Sequence, residues 1–67
     1  MHNVKYPNVR VKLVGEDGNA FAIIGRVTKA LRKGGAPDAD VKEFQQQAMS
    51  GDYNVLLATC MKWVDAR

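Results

Sequence analysis

A strand cannot satisfy its own backbone, and this chain shows one clear strand near its beginning. Val9-Arg10-Val11-Lys12-Leu13 alternates apolar and basic side chains, so Val9, Val11 and Leu13 share one face and Arg10 and Lys12 the other. Pro7 suits a strand entry or an edge, and Val14, out of phase, marks the end. The N–H and C=O groups along that strand need partners from a second one. Most of the chain beyond Gly18 has helical periodicity, so the one good partner is Lys62 to Asp65. The expected fold is therefore α+β: a small single domain over residues 1–67, β-α-α-α-β, with its terminal strands paired. An N-terminal β-hairpin followed by helices, with Ala20 to Ile24 as the second strand, is the alternative; Phe21, Ile23 and Ile24 have the β propensity for it.

The first helix is expected over Ala20 to Lys33, after the turn Gly15-Glu16-Asp17-Gly18, with Asn19 as its N-cap. At 100° per residue, Phe21, Ile23, Ile24, Val27, Ala30 and Leu31 form an apolar arc, and Arg26, Lys29, Arg32 and Lys33 lie opposite. Gly34 is expected in the left-handed conformation that ends a helix, and Gly35-Ala36-Pro37 forbids continuation. Gly25, in mid-helix, suggests close approach of another element. Asp40-Val41-Lys42-Glu43 reads as a capping box opening a second helix. Val41, Phe44 and Ala48 form its buried stripe, Met49 widens it, and Ser50-Gly51 ends it. Asp52 caps a third helix with Tyr53, Leu56, Leu57, Cys60, Met61 and Val64 at helical spacing. Phe21, Ile24, Val27, Leu31, Phe44, Leu56, Leu57 and Trp63 are the expected core.

Sixty-seven residues allow one small core, burying about 60% of the extended chain's surface. One cysteine cannot staple a secreted mini-domain, and no cysteine–histidine cluster offers zinc a site. Residues 1–7 are expected to be flexible. The first residues lack the apolar run of a signal peptide, and no uncharged stretch approaches the length that spans a bilayer. A cytoplasmic protein without membrane association is expected.

Candidates for chemistry are few. His2, the single histidine, sits in a terminal segment with nothing to hold it for acid–base work. Cys60 lies on an apolar helix stripe, where packing is its expected role. Asp38 occupies a turn, Asp40, Glu43 and Asp52 have helix N-termini to serve, and Gly15 to Gly18 lacks the calcium-loop and phosphate-loop patterns. The expectation is a protein that is not an enzyme and has no catalytic, metal or cofactor-binding residue and no small-molecule substrate.

Charge is the feature above background. Residues 1–33 carry seven basic and two acidic side chains, whereas residues 34–67 carry three and five. Arg26, Lys29 and Lys33 form a helix stripe about 10 Å long, with Arg32 on its flank and Arg10 and Lys12 on the outward face of the strand. These six are the candidate nucleic-acid contacts, phosphates above all. The helix-to-helix connection 34–39 is too long, and proline-bearing, for a helix-turn-helix. The alternative is a protein-interaction module or small structural homodimer, for which Tyr6, Tyr53 and Trp63 are the large amphipathic surfaces.

The run Val11 to Phe21, with Ala30-Leu31-Arg32, Ser50-Gly51-Asp52-Tyr53 and Trp63-Val64, resembles a family of small uncharacterised bacterial and bacteriophage- or plasmid-associated proteins over about residues 9–66. The resemblance implies a small accessory protein that touches nucleic acid or a host protein. It carries no activity, cofactor or site residue across.

Overall fold

Two short strands hold the ends of the chain side by side, and three helices make the connection between them. The computed structural model describes residues 4–16 and 18–67; His2, Asp17 and the first three positions of the segment 1–7 lie outside these. The order is β1 (Tyr6–Val11), α1 (Ala20–Lys33), α2 (Asp38–Ala48), α3 (Tyr53–Trp63) and β2 (Val64–Ala66). The strands pair in parallel, Tyr6 opposite Val64, Arg10 opposite Asp65 and Val11 opposite Ala66. Parallel neighbours need a long crossover, and here the whole helical layer is that crossover. Backbone bonds outside the regular pairing extend it, from the N–H of Lys5 to the carbonyl of Lys62 at 3.0 Å and from that of Arg67 to Val11 at 2.8 Å. The register shifts between Tyr6 and Arg10. Pro7, with no N–H to give, falls in that irregular stretch, where it costs the ladder nothing. The strand thus begins earlier and ends earlier than the alternation over 9–13 suggests.

Helix α1 runs over the expected residues, and the hairpin alternative is excluded. Asn19 accepts from the N–H of Phe21 as its cap. The left-handed residue at its end is Gly35, φ +89°, not Gly34, φ −81°. The N–H of Gly35 bonds to the carbonyl of Arg32 and that of Ala36 to Leu31, the paired bonds of a Schellman ending. Helix α2 starts two residues before the expected cap, since Pro37 takes the extended N-cap conformation and Asp40 falls inside the first turn. Released from capping, the Asp40 carboxylate accepts the Tyr6 hydroxyl and lies 3.8 Å from the Lys5 ammonium. Helix α3 is capped by Asp52, which accepts from Val55, and turns into β2 immediately after Trp63.

The core comprises Val9 and Val11 of β1; Ile23, Ile24, Val27 and Leu31 of α1; Val41, Phe44 and Ala48 of α2; Leu56, Cys60 and Trp63 of α3; and Val64. Trp63 is its hub. Its ring meets Phe44 edge-on at 5.9 Å and stacks with Tyr6 at 6.2 Å. The Lys5 ammonium lies 4.4 Å from its centroid, and its Nε1 donates to Gln47 at 3.0 Å. Thr59 is the one buried polar side chain among the described residues, satisfied by donating to the Val55 carbonyl at 2.7 Å.

Five apolar positions depart from expectation. Phe21 is 80% exposed, and Met49, Tyr53 and Met61 also face solvent. Phe21 lies about 60° beyond Ile24 on the helix, and α1 packs chiefly on α2 and β1, so nothing among the described residues covers that flank. Leu57 is only half-buried, because α3 turns Leu56 and Cys60 inward. Among the described residues, no helix is long and apolar enough to cross a membrane.

Two glycines on α1 have opposite consequences. A Cβ on Gly34 would stand 2.6 Å from a Val9 methyl, whereas one on Gly25 would meet nothing within 4 Å among the described residues. The close approach expected at Gly25 is therefore made at Gly34. Gly25→Ala should stabilise by about 0.5–1 kcal/mol, and Gly34→Ala should destabilise by about 1–3 kcal/mol through overpacking. Thermal unfolding of the two variants checks both signs.

The Tyr6–Asp40 bond sets a pH limit. Donating that hydrogen bond to a carboxylate, with some burial and the carboxylate's charge behind it, raises the Tyr6 pKa above its ordinary 10.0. A pKa raised on folding means stability fully present below the unfolded value and lost as pH rises through the folded one. The stability of the native chain to urea should fall more steeply above pH 10 than that of Tyr6→Phe; equal slopes would remove Asp40 from this role.

Candidate functional site

The basic residues divide according to what each element packs against. On β1 the burial of Val9 and Val11 turns Arg10, and Lys12 just beyond it, to solvent. On α1, Arg26, Lys29 and Lys33 fall within about 60° of one another. Ala30, on the same side, lines a shallow cleft against β1 with Asn8, Val9, Arg10, Lys33 and Gly34, about 190 Å³ in volume. Gly34 makes this cleft possible: only without a Cβ can the Val9 methyl come so close. That contact seats β1 on the end of α1 and brings Arg10 and Lys33 to one opening. Asn8 joins them, although attention to charge alone passes it over; its place two residues before Arg10 on an alternating strand is the signal that finds it.

Arg32 points elsewhere. About 100° round the helix from Lys33, it faces the start of α2 and pairs with Asp38 at 3.7 Å. Thr28, on the same flank, accepts from Gln45 at 3.1 Å. The structure thus brings together Arg10, Lys33 and, on the same side of α1, Arg26 and Lys29, and it separates Arg32 from them.

The electrostatics of this face are lopsided. Arg10 lies 3.7 Å from Asp65, but Arg67 shares that carboxylate at 3.2 Å, so one negative charge serves two arginines. Lys12, Lys29 and Lys33 form no ion pair among the described residues. Arg26 is half-buried, and its Nη1 is buried without a hydrogen-bond partner among the described residues. The arrangement is suited to holding oxyanions.

Several other titratable groups have structural occupations. Lys5 lies 3.7 Å from Glu43 as well as beside Asp40, and Asp52 caps α3. Burial pushes the Cys60 thiol up to about 11, against an ordinary 9.0, with a bond to its own backbone opposing the shift. Among the described residues no three His, Cys, Asp or Glu side chains gather into a possible metal-binding group.

No family model matches the chain, and no similarity to curated proteins or to solved structures was found. The site is therefore read from its own residues.

The Cys60 thiol should stay protonated at neutral pH. An aromatic disulfide reagent at pH 8 should react with it far more slowly in the native chain than in urea. Comparable rates would place the thiol at the surface.

Proposed function

We propose that this is a cytoplasmic, non-enzymatic accessory protein that binds the phosphate backbone of a nucleic acid through the face shared by β1 and α1. The observation that supports the reading is the convergence of Arg10 and Lys33 on one cleft, with Lys29 and Arg26 on the adjoining helix surface and Lys12 following on the strand. Among the described residues Lys12, Lys29 and Lys33 form no ion pair, and Arg10 shares Asp65 with Arg67, so phosphates gain from the approach, and release of their counterions drives binding.

The chemistry of the face favours backbone over base contacts. Stacking on unpaired bases takes an exposed aromatic ring among the cations, and the aromatic of β1, Tyr6, is already stacked on Trp63. The exposed rings of Phe21 and Tyr53 belong to the opposite end of α1 and to α3. Asn8 is the side chain best suited to a base edge, and alone it confers little sequence preference. A duplex met by its phosphates is the preferred target.

Four neutralised phosphates predict that log affinity falls with log salt at a slope of about −3.6, a loss of about 150-fold between 50 and 200 mM. Lys29→Glu with Lys33→Glu should abolish binding and leave the circular dichroism unchanged, since both side chains are exposed. Asp65→Asn should strengthen binding by releasing Arg10 and Arg67. Fluorescence anisotropy with a labelled duplex checks all three. No binding in 50 mM salt, or binding indifferent to salt and to the double reversal, would overturn the reading.

A further inference from the structure

At the far end of α1 from the basic cleft, the three helices leave an apolar cavity of about 380 Å³, lined among others by Ala20, Ile24, Met49, Tyr53 and Leu56. Phe21 stands at its rim with 80% of its surface exposed, beside Met49 at 58% and Tyr53 at 46%. We propose that this face joins two copies of the chain in a two-fold dimer, each Phe21 ring seated in the cavity of its partner.

Three observations select a second copy as the occupant. The first is self-complementarity: a two-fold interface must carry both halves of each contact on one patch, and here a projecting ring and a hole sit side by side. A cavity of about 150 Å³ already accepts benzene, so this one has room for a phenyl ring. A foreign peptide would account for the hole and leave the ring at its edge without purpose.

The second observation is extent. Tyr53, Leu57 and Met61 recur every four residues along the outer side of α3, and Met61 and Leu57 line a second apolar hollow with Leu13 and Val14. Helix α3 has one charged residue, Lys62, and a helix apolar on most sides is ordinarily covered on most sides. Together these side chains carry apolar surface from the main cavity along α3 to the second hollow, on a molecule measuring 25 × 25 × 22 Å. A stable dimer covers on the order of 800 Å² per partner, about a sixth of the 4666 Å² that this chain exposes.

The third is charge. Among the described residues, the one charged side chain lining the main cavity is Asp52, whose carboxylate is engaged in capping α3. The cations of the cleft lie about 18 Å away along α1, from Phe21 to Lys33. Two net-positive chains therefore meet through a surface whose charged lining is Asp52 at the main cavity and, at the edge of the second hollow, Arg67, which is paired with Asp65, and the cleft of Arg10 and Lys33 stays open. Dimerisation through the apolar face does not depend on whether the basic faces bind phosphate.

Sedimentation equilibrium of the full chain in 500 mM salt, without nucleic acid, tests it from about 1 μM to 1 mM. The expected mass rises with concentration from 7.4 kDa towards twice that value. Phe21→Asp should weaken association by about 30-fold or more, as loss of a central interface anchor does. Its far-UV circular dichroism should stay native, since Phe21 supports no core residue. Met49→Lys, at another exposed point of the same patch, should act in the same direction. A mass that remains at 7.4 kDa throughout would overturn the proposal and leave the face to a different partner. A dimer as tight in Phe21→Asp as in the native chain would overturn it equally.

Discussion

The parallel pairing of the two chain ends is the constraint on which the rest depends. A parallel pair cannot be closed by a tight turn, so 12–63 must leave one end of β1 and return to the other beside it. Three short helices accomplish this, and Trp63 stands where the last of them becomes β2. Its ring is gripped by Phe44 from α2, by Tyr6 from β1 and by the Lys5 ammonium. One side chain thus ties the sheet to the helices, which explains how a strand of three residues keeps its place. Two-stranded sheets are marginal in water unless packed against something.

The same packing builds the basic cleft. Val9 turns inward to the core and reaches the backbone of Gly34, and this apolar contact positions the charged neighbours Arg10 and Lys33. Positive charges placed so close repel one another, and burial of Val9, Val11, Val27 and Leu31 offsets that cost. Asp65 moderates it, its carboxylate divided between Arg10 and Arg67. Core and surface are therefore coupled. A change at Val9 or Gly34 alters the spacing of cations without touching a charge.

The two ends of α1 have different characters. Near its C-terminus, Arg32 and Lys33 complement the free carbonyls, and Lys33 meets Arg10 of the strand at the cleft. Near its N-terminus, Phe21 emerges into solvent beside the junction of α2 and α3. An 80% exposed phenylalanine gains from being covered, at about 25 cal/mol for each Å² removed from water. The molecule is thus polar in two senses, with a cationic end suited to phosphates and an apolar end suited to another protein surface.

The sequence by itself determined the elements: their order, the span of α1, the caps at Asn19 and Asp52, the need for a partner for β1 and its place at the chain's end. These come from local rules, namely side-chain periodicity, capping chemistry and the requirement that backbone groups be bonded. The identity of most core residues comes from them too. What only the tertiary structure decided is how wide an arc each helix buries and which side chains meet across elements. Phe21 satisfies the periodicity of α1, yet among the described residues no neighbour covers its flank. Asp40 and Glu43 satisfy a capping pattern, yet Pro37 starts the helix earlier and Asp40 serves Tyr6 instead. Arg32 belongs to the basic stripe by composition, yet the position of α2 turns it to Asp38, while the contact of Val9 with Gly34 draws Arg10 to Lys33. Periodicity records the direction of a side chain from its own helix axis, and function depends on what stands in that direction, which the packing of the other elements sets.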